Sequence, residues 1–117
     1  MLSQFHQRYQ EFFHLLEQLR ADSTQLDKAK LKQSVHTAQQ FFQQQILSLD
    51  PQDLSPQEQS KIRSYQTEIS KQLQLVAMDV VFLQAARLQA TAANRQMQLA
   101  DRIQTLIRYC NTILELA

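Results

Sequence analysis

Apolar residues recur along most of this 117-residue chain at alternating spacings of three and four, the period that gathers side chains on one face of a helix. Leu2, Phe5, Tyr9, Phe12, Leu16 and Leu19 form the first stripe, widened by Phe13 and Leu15, and predict a helix over 2–20. The more polar residues 21–26 predict a connection. Asp27 is placed to cap a second helix over 28–47, with Leu26 and Leu31 at the positions of a hydrophobic staple. Its stripe is Leu31, Val35, Ala38, Phe42 and Ile46, flanked by Phe41. After a loop over 48–54, Ser55-Pro56-Gln57-Glu58 carries the clearest start signal in the chain. Ser caps, Pro takes the first helical position, and Glu reaches back to the cap amide. The third helix, over 56–89, has the stripe Ile62, Tyr65 or Gln66, Ile69, Leu73, Val76, Val80 and Leu83. The last stripe, Leu99, Ile103, Leu106, Cys110 and Ile113, is out of phase with it by about two residues. The chain therefore turns or unwinds between Leu88 and Asn94, with Thr91 as the cap of a fourth helix over 92–116.

Within the third helix, Leu73 to Leu83 is apolar almost all round: Leu73, Leu75, Val76, Met78, Val80, Val81, Phe82 and Leu83 leave room for one charge, Asp79. A helix apolar on every side needs cover on every side, which predicts that several neighbours bury this stretch. It falls short of the ~20 apolar residues that span a bilayer. The expected architecture is all-α: one domain over 1–117, an antiparallel up-down-up-down four-helix bundle with a long third helix. The first two helices can cover only part of the third, so apolar surface remains for a second copy or another protein to bury, and an elongated homodimer is expected.

Composition narrows the function classes. The chain has no Gly and only two Pro, Pro51 and Pro56. That excludes Gly-rich phosphate loops and dinucleotide fingerprints, which need Gly for close backbone approach. The 22 Gln residues are interleaved with apolar ones at helical spacing and read as neutral, solvated helix faces. A net charge of +1 with mixed signs is not the basic footprint of a nucleic-acid binder. A single Cys, no membrane-length apolar run and no secretory-signal pattern predict a soluble cytoplasmic protein. Lys28, Lys30 and Lys32 open the second helix at its positive end, as a solvated or a partner-facing basic spot.

Candidate chemistry is sparse. Glu11-Phe12-Phe13-His14 matches the Glu-x-x-His pair of di-iron bundles, which needs a second such pair and two further Glu residues. No second pair exists, and His6, His14 and His36 do not pair at helical spacing, so no metal site or cofactor is expected. Cys110, on the apolar stripe between Leu106 and Ile113, reads as a small buried hydrophobe. Without an elbow or oxyanion loop for Ser or Thr, no enzyme is expected. Asp79 has no ion-pair partner on its own helix, and a lone buried charge is costly. If the last two helices form a hairpin, Arg102 or Arg108 reaches it and fixes the register. Otherwise Asp79 is a charged spot within an apolar contact surface. Arg87, Arg95 and Arg102 gather around the same hairpin end, as a solvated face or as a docking site for an acidic partner.

As a whole the chain resembles the PatD family of filamentous cyanobacteria, which controls heterocyst frequency. The resemblance covers nearly the full length. It rests on size, Gln-rich helical composition, Phe41-Phe42-Gln43-Gln44-Gln45-Ile46 before the loop, Leu54-Ser55-Pro56 opening the long helix, and Asp101-Arg102-Ile103 through Leu106-Ile107-Arg108-Tyr109-Cys110 in the last. It implies a cytoplasmic regulator without enzymatic activity that limits how often vegetative cells become nitrogen-fixing heterocysts. It also implies a link to division through direct binding of the tubulin-like protein FtsZ, whose assembly it would influence. The family offers no motif of defined binding residues; Arg87, Arg95 and Arg102 follow from their position alone. A reading from a different class is a small assembly or secretion chaperone that shields an apolar helix of a client by groove binding.

Overall fold

A computed structural model of the chain describes residues 4–25, 27–50 and 54–116. Among them are four helices and no strand: α1 (Gln4–Gln25), α2 (Lys28–Phe41) closed by a π-helical turn (Phe42–Ile46), α3 (Pro56–Ala85) and α4 (Gln89–Leu116). They pack into a bundle-like rod of 50 × 21 × 19 Å. Leu2, Leu26 with its staple, and residues 51–53 of the expected loop lie outside the described residues.

The start signals act as local chemistry requires. The Asp27 carboxylate accepts from the Lys30 amide at 3.1 Å. Ser55 Oγ accepts from the Glu58 amide at 3.2 Å and the Glu58 carboxylate accepts from the Ser55 amide at 3.0 Å, closing a capping box with Pro56 in the first turn. At the end of α2 the Leu47 amide bonds to the Phe42 carbonyl at 2.9 Å. Leu31 and Ile46 are both fully buried, yet an unbroken α-helix would carry Ile46 about 60° past Leu31. The wider π-turn reduces that drift.

Two boundaries differ from expectation. The first helix runs on through 21–25, where a connection is expected. Asp22 and Ser23 are buried there because they have partners. Asp22 accepts from Gln18 and from Ser34 of α2, while Ser23 and Thr24 return their hydroxyls to the Arg20 carbonyl. The second difference is the turn after α3, which lies at 86–88 rather than between Leu88 and Asn94. Ala86 takes an extended conformation (ψ 127°) and its amide closes on the Leu83 carbonyl at 3.3 Å. α3 therefore ends at Ala85, not 89, α4 begins at Gln89, not 92, and Thr91 lies inside α4 rather than capping it.

The core is continuous through all four helices. α3 packs along α4, α4 on α1 and α1 on α2, whereas α2 and α3 touch most sparsely. The largest buried side chains include Tyr9, Phe12 and Phe42. Phe12 stacks on Phe41 with centroids 6.3 Å apart and meets Phe42 at 5.4 Å. Several glutamines do more than solvate a face. Gln66 donates to the Tyr9 hydroxyl at 2.9 Å, Gln96 to the Ser23 carbonyl at 3.4 Å, Gln84 to the Lys28 carbonyl at 3.3 Å and Gln39 to the Leu73 carbonyl at 3.5 Å, each joining one helix to another.

Candidate docking site

The all-round apolar stretch of α3 is covered on one side only. Leu73, Val76, Val80 and Leu83 are buried, but Met78, Val81 and Phe82 are 52, 63 and 45 % exposed. Neighbours within the chain thus supply only part of the cover that an all-round apolar stretch needs. The helix has two apolar faces, and the ring of four helices closes over one. The outward face changes character along its length. Ser64, Thr67, Lys71 and Gln74 make it polar in the N-terminal part, where all four are exposed. Met78, Val81 and Phe82 make it apolar after that.

Beside this face, the sparse α2–α3 seam opens into a groove. A cavity of about 410 Å³ is lined by Lys32, Val35, His36 and Gln39 of α2 and by Ala77, Val80, Val81 and Gln84 of α3. Gln39 joins it to a smaller one of about 100 Å³ lined by Phe42, Gln43, Leu47, Ser70, Leu73 and Gln74. Ala77 and Val81 join it to a depression over Met78 and Phe82. Two glutamine hydrogen bonds cross this seam, Gln39 to the Leu73 carbonyl and Gln84 to the Lys28 carbonyl.

The charges around the site are sorted. Asp79 is 1 % exposed and turned into the α3–α4 seam. There Oδ2 accepts from Arg102 Nη1 at 2.5 Å and Oδ1 lies 3.8 Å from Arg95 Nη1. Arg102 also donates to the Leu75 carbonyl at 3.3 Å. Arg108 does not reach Asp79; it is exposed and donates to its neighbour Thr105. With the turn at 86–88, Asp79 is level with the first half of α4. Side chains on a helix lean toward its N-terminus, so Arg102 reaches back to Asp79 while Arg108 is about 9 Å too far along. Of the three arginines expected to cluster at the hairpin end, Arg102 is turned inward, Arg95 lies with its guanidinium 4.5 Å from the centroid of the Phe82 ring, and Arg87 is exposed. Apolar surface left over on the third helix is expected, but not its residues, because periodicity marks an apolar position without saying whether anything covers it; the structure identifies them as Met78, Val81 and Phe82.

Elsewhere the reactive groups are occupied. Cys110 is fully buried and its thiol donates to the Tyr9 carbonyl at 3.3 Å; burial pushes its pKa up to about 12. Burial likewise raises Tyr9 above the ordinary phenol range. Both groups are held neutral in the folded chain and ionise more easily when it unfolds. Their stability contribution is present below the unfolded thiol value of 9.0 and is lost as pH rises from there toward about 12. Melting temperature is expected to be level from pH 7 to 8 and to fall steeply above pH 9, with Cys110→Ala flattening the first part of that fall. A disulfide reagent should modify Cys110 in the native protein only as fast as the chain opens. Glu11 pairs with Arg8 at 3.3 Å. Among the described residues no three His, Cys, Asp or Glu side chains come together as metal ligands. No helix is long and apolar enough to cross a membrane.

No protein-family model, no curated protein and no solved structure matches the chain.

Proposed function

We propose that the chain is a non-enzymatic regulatory protein that works by binding another protein, in the manner the PatD resemblance implies. In this reading it is a cytoplasmic controller of heterocyst frequency that docks on FtsZ and modulates its assembly. The observation that carries the binding role is the exposed apolar face of α3. Met78, Val81 and Phe82 stand together in water beside an open groove, and contiguous patches of this kind mark interaction sites. The burial of Cys110 and the engagement of Asp79 by arginines support a structural rather than a catalytic use of these groups.

The arrangement belongs to the same proposal. The helices run up-down-up-down and antiparallel. Cross-helix pairs that descend on one helix as they ascend on the other support it: Tyr65 with Tyr109 and Asp79 with Arg95, Tyr9 with Cys110 and Ser23 with Gln96. This order puts the exposed face at the hairpin end of the rod, near Arg87 and Arg95. Partner contact is thus assigned to Met78, Val81, Phe82 and Arg95, with Arg87 adjacent and Arg102 committed to Asp79.

Cosedimentation with FtsZ filaments tests the reading. The wild-type chain is expected to pellet with filaments and Val81→Asp to remain in the supernatant. Val81 is 63 % exposed, so this change should leave the fold intact, as circular dichroism would check. Wild-type protein that stays in the supernatant at all filament concentrations would sink the assignment to FtsZ.

The client-chaperone reading draws on the open groove, which a client helix could enter. It predicts copurification with one helical client and no response to filaments.

A further inference from the structure

Resting on the reading of α3 as a binding face, we infer that the α2–α3 groove receives one amphipathic helix whose apolar stripe is bordered by acidic residues. The floor and one wall are apolar, from Val35, Val80 and Val81. One rim is basic. Lys32 and His36 line the α2 side; beyond Val81, on the far side of α3, Arg95 lies over Phe82 and within 3.8 Å of Asp79. No carboxylate is among the described residues that line the groove, since Asp79 faces the opposite seam. A basic rim along an apolar floor that carries no carboxylate complements an apolar stripe bordered by acidic residues.

Three physical points select a helix from a partner protein over other occupants. An extended peptide in an apolar groove needs backbone hydrogen bonds from its host, and the described residues offer no strand edge. A helix satisfies its own backbone and can seat anchors at i, i+3 or i+4 and i+7. A second copy fits worse. A two-fold axis through the groove would bring the Lys32 and His36 rim against its own equivalent. A flat anionic membrane would leave the 410 Å³ recess between the helices unfilled.

The test uses two synthetic amphipathic helices of about 18 residues with identical leucine stripes, one flanked by Glu and the other by Lys. Fluorescence anisotropy against the full chain is expected to show the Glu-flanked peptide binding at least about tenfold tighter, with affinity falling as salt rises. Val81→Asp and the separate, exposed Lys32→Glu should each weaken it about tenfold. Amide shift changes should map to α2 and the C-terminal half of α3. Equal binding of the two peptides, no binding of either, or shifts confined to other faces would overturn the inference. So would concentration-dependent dimerisation abolished by Val81→Asp, or binding to anionic vesicles in place of the peptide. Loss of filament binding in Val81→Asp without peptide binding would leave the interaction reading standing and remove the acidic-helix inference. Peptide binding without filament binding would leave the acidic-helix inference standing and remove the assignment to FtsZ.

Discussion

Arg102→Met is expected to lower the unfolding free energy by about 3–5 kcal/mol, read as a drop in the urea midpoint at unchanged slope. The cost falls on Asp79. Its carboxylate is almost fully buried, and Arg102 supplies the close charge-assisted hydrogen bond at 2.5 Å. Removing the guanidinium leaves a carboxylate in an apolar seam with Arg95 3.8 Å away, and Arg95 can move in to offset part of the loss. Arg95→Met alone should cost under about 1 kcal/mol, as for a part-exposed pair. Replacing both partners removes the charge together with its need for one. Asp79→Leu with Arg102→Met should therefore recover most of the stability that Arg102→Met loses. A loss below about 1 kcal/mol in Arg102→Met would show that Asp79 does not depend on this arginine, and that the pair does not fix how α3 and α4 pack together.

Phe12→Ala should be comparably damaging, at about 3–5 kcal/mol. Phe12 is fully buried and lies between α1 and the end of α2, against Phe41 and Phe42. Truncation removes its transfer free energy. It also leaves a void walled by two rings, one of them in the π-turn, so collapse into the space would require that turn to rewind. Phe12→Leu, which keeps most of the volume, should cost about 1.5 kcal/mol or less. Denaturant midpoints of the two variants give the comparison. A Phe12→Ala variant as stable as Phe12→Leu would mean that the aromatic junction repacks freely.

How much of this was legible before the structure differs from residue to residue. The starts of α2 and α3 were readable because Asp27 and the Ser55–Glu58 box act within a few residues of themselves. The ends of α1 and α3 were not. Asp22 and Ser23 look like a polar connection until Ser34, on another helix, and the Arg20 carbonyl are seen to satisfy them. The turn at 86–88 uses neither Gly nor Pro, so only the phase slip of the apolar stripes announced it, and phase locates a break to within several residues. That error moved the expected level of Asp79 along α4 and put Arg108 on equal terms with Arg102.

The sequence by itself determined the helical class, the buried stripe of each helix and the isolation of Asp79, because period, caps and the cost of a lone buried charge are local or one-dimensional properties. Only the tertiary structure decided that Arg102 answers Asp79, that certain glutamines join helices, and that Met78, Val81 and Phe82 remain outside. Burial depends on which helix lies across from a face. α1, α2 and α4 close over one side of α3 and leave the other, apolar at Met78, Val81 and Phe82, facing water beside the groove.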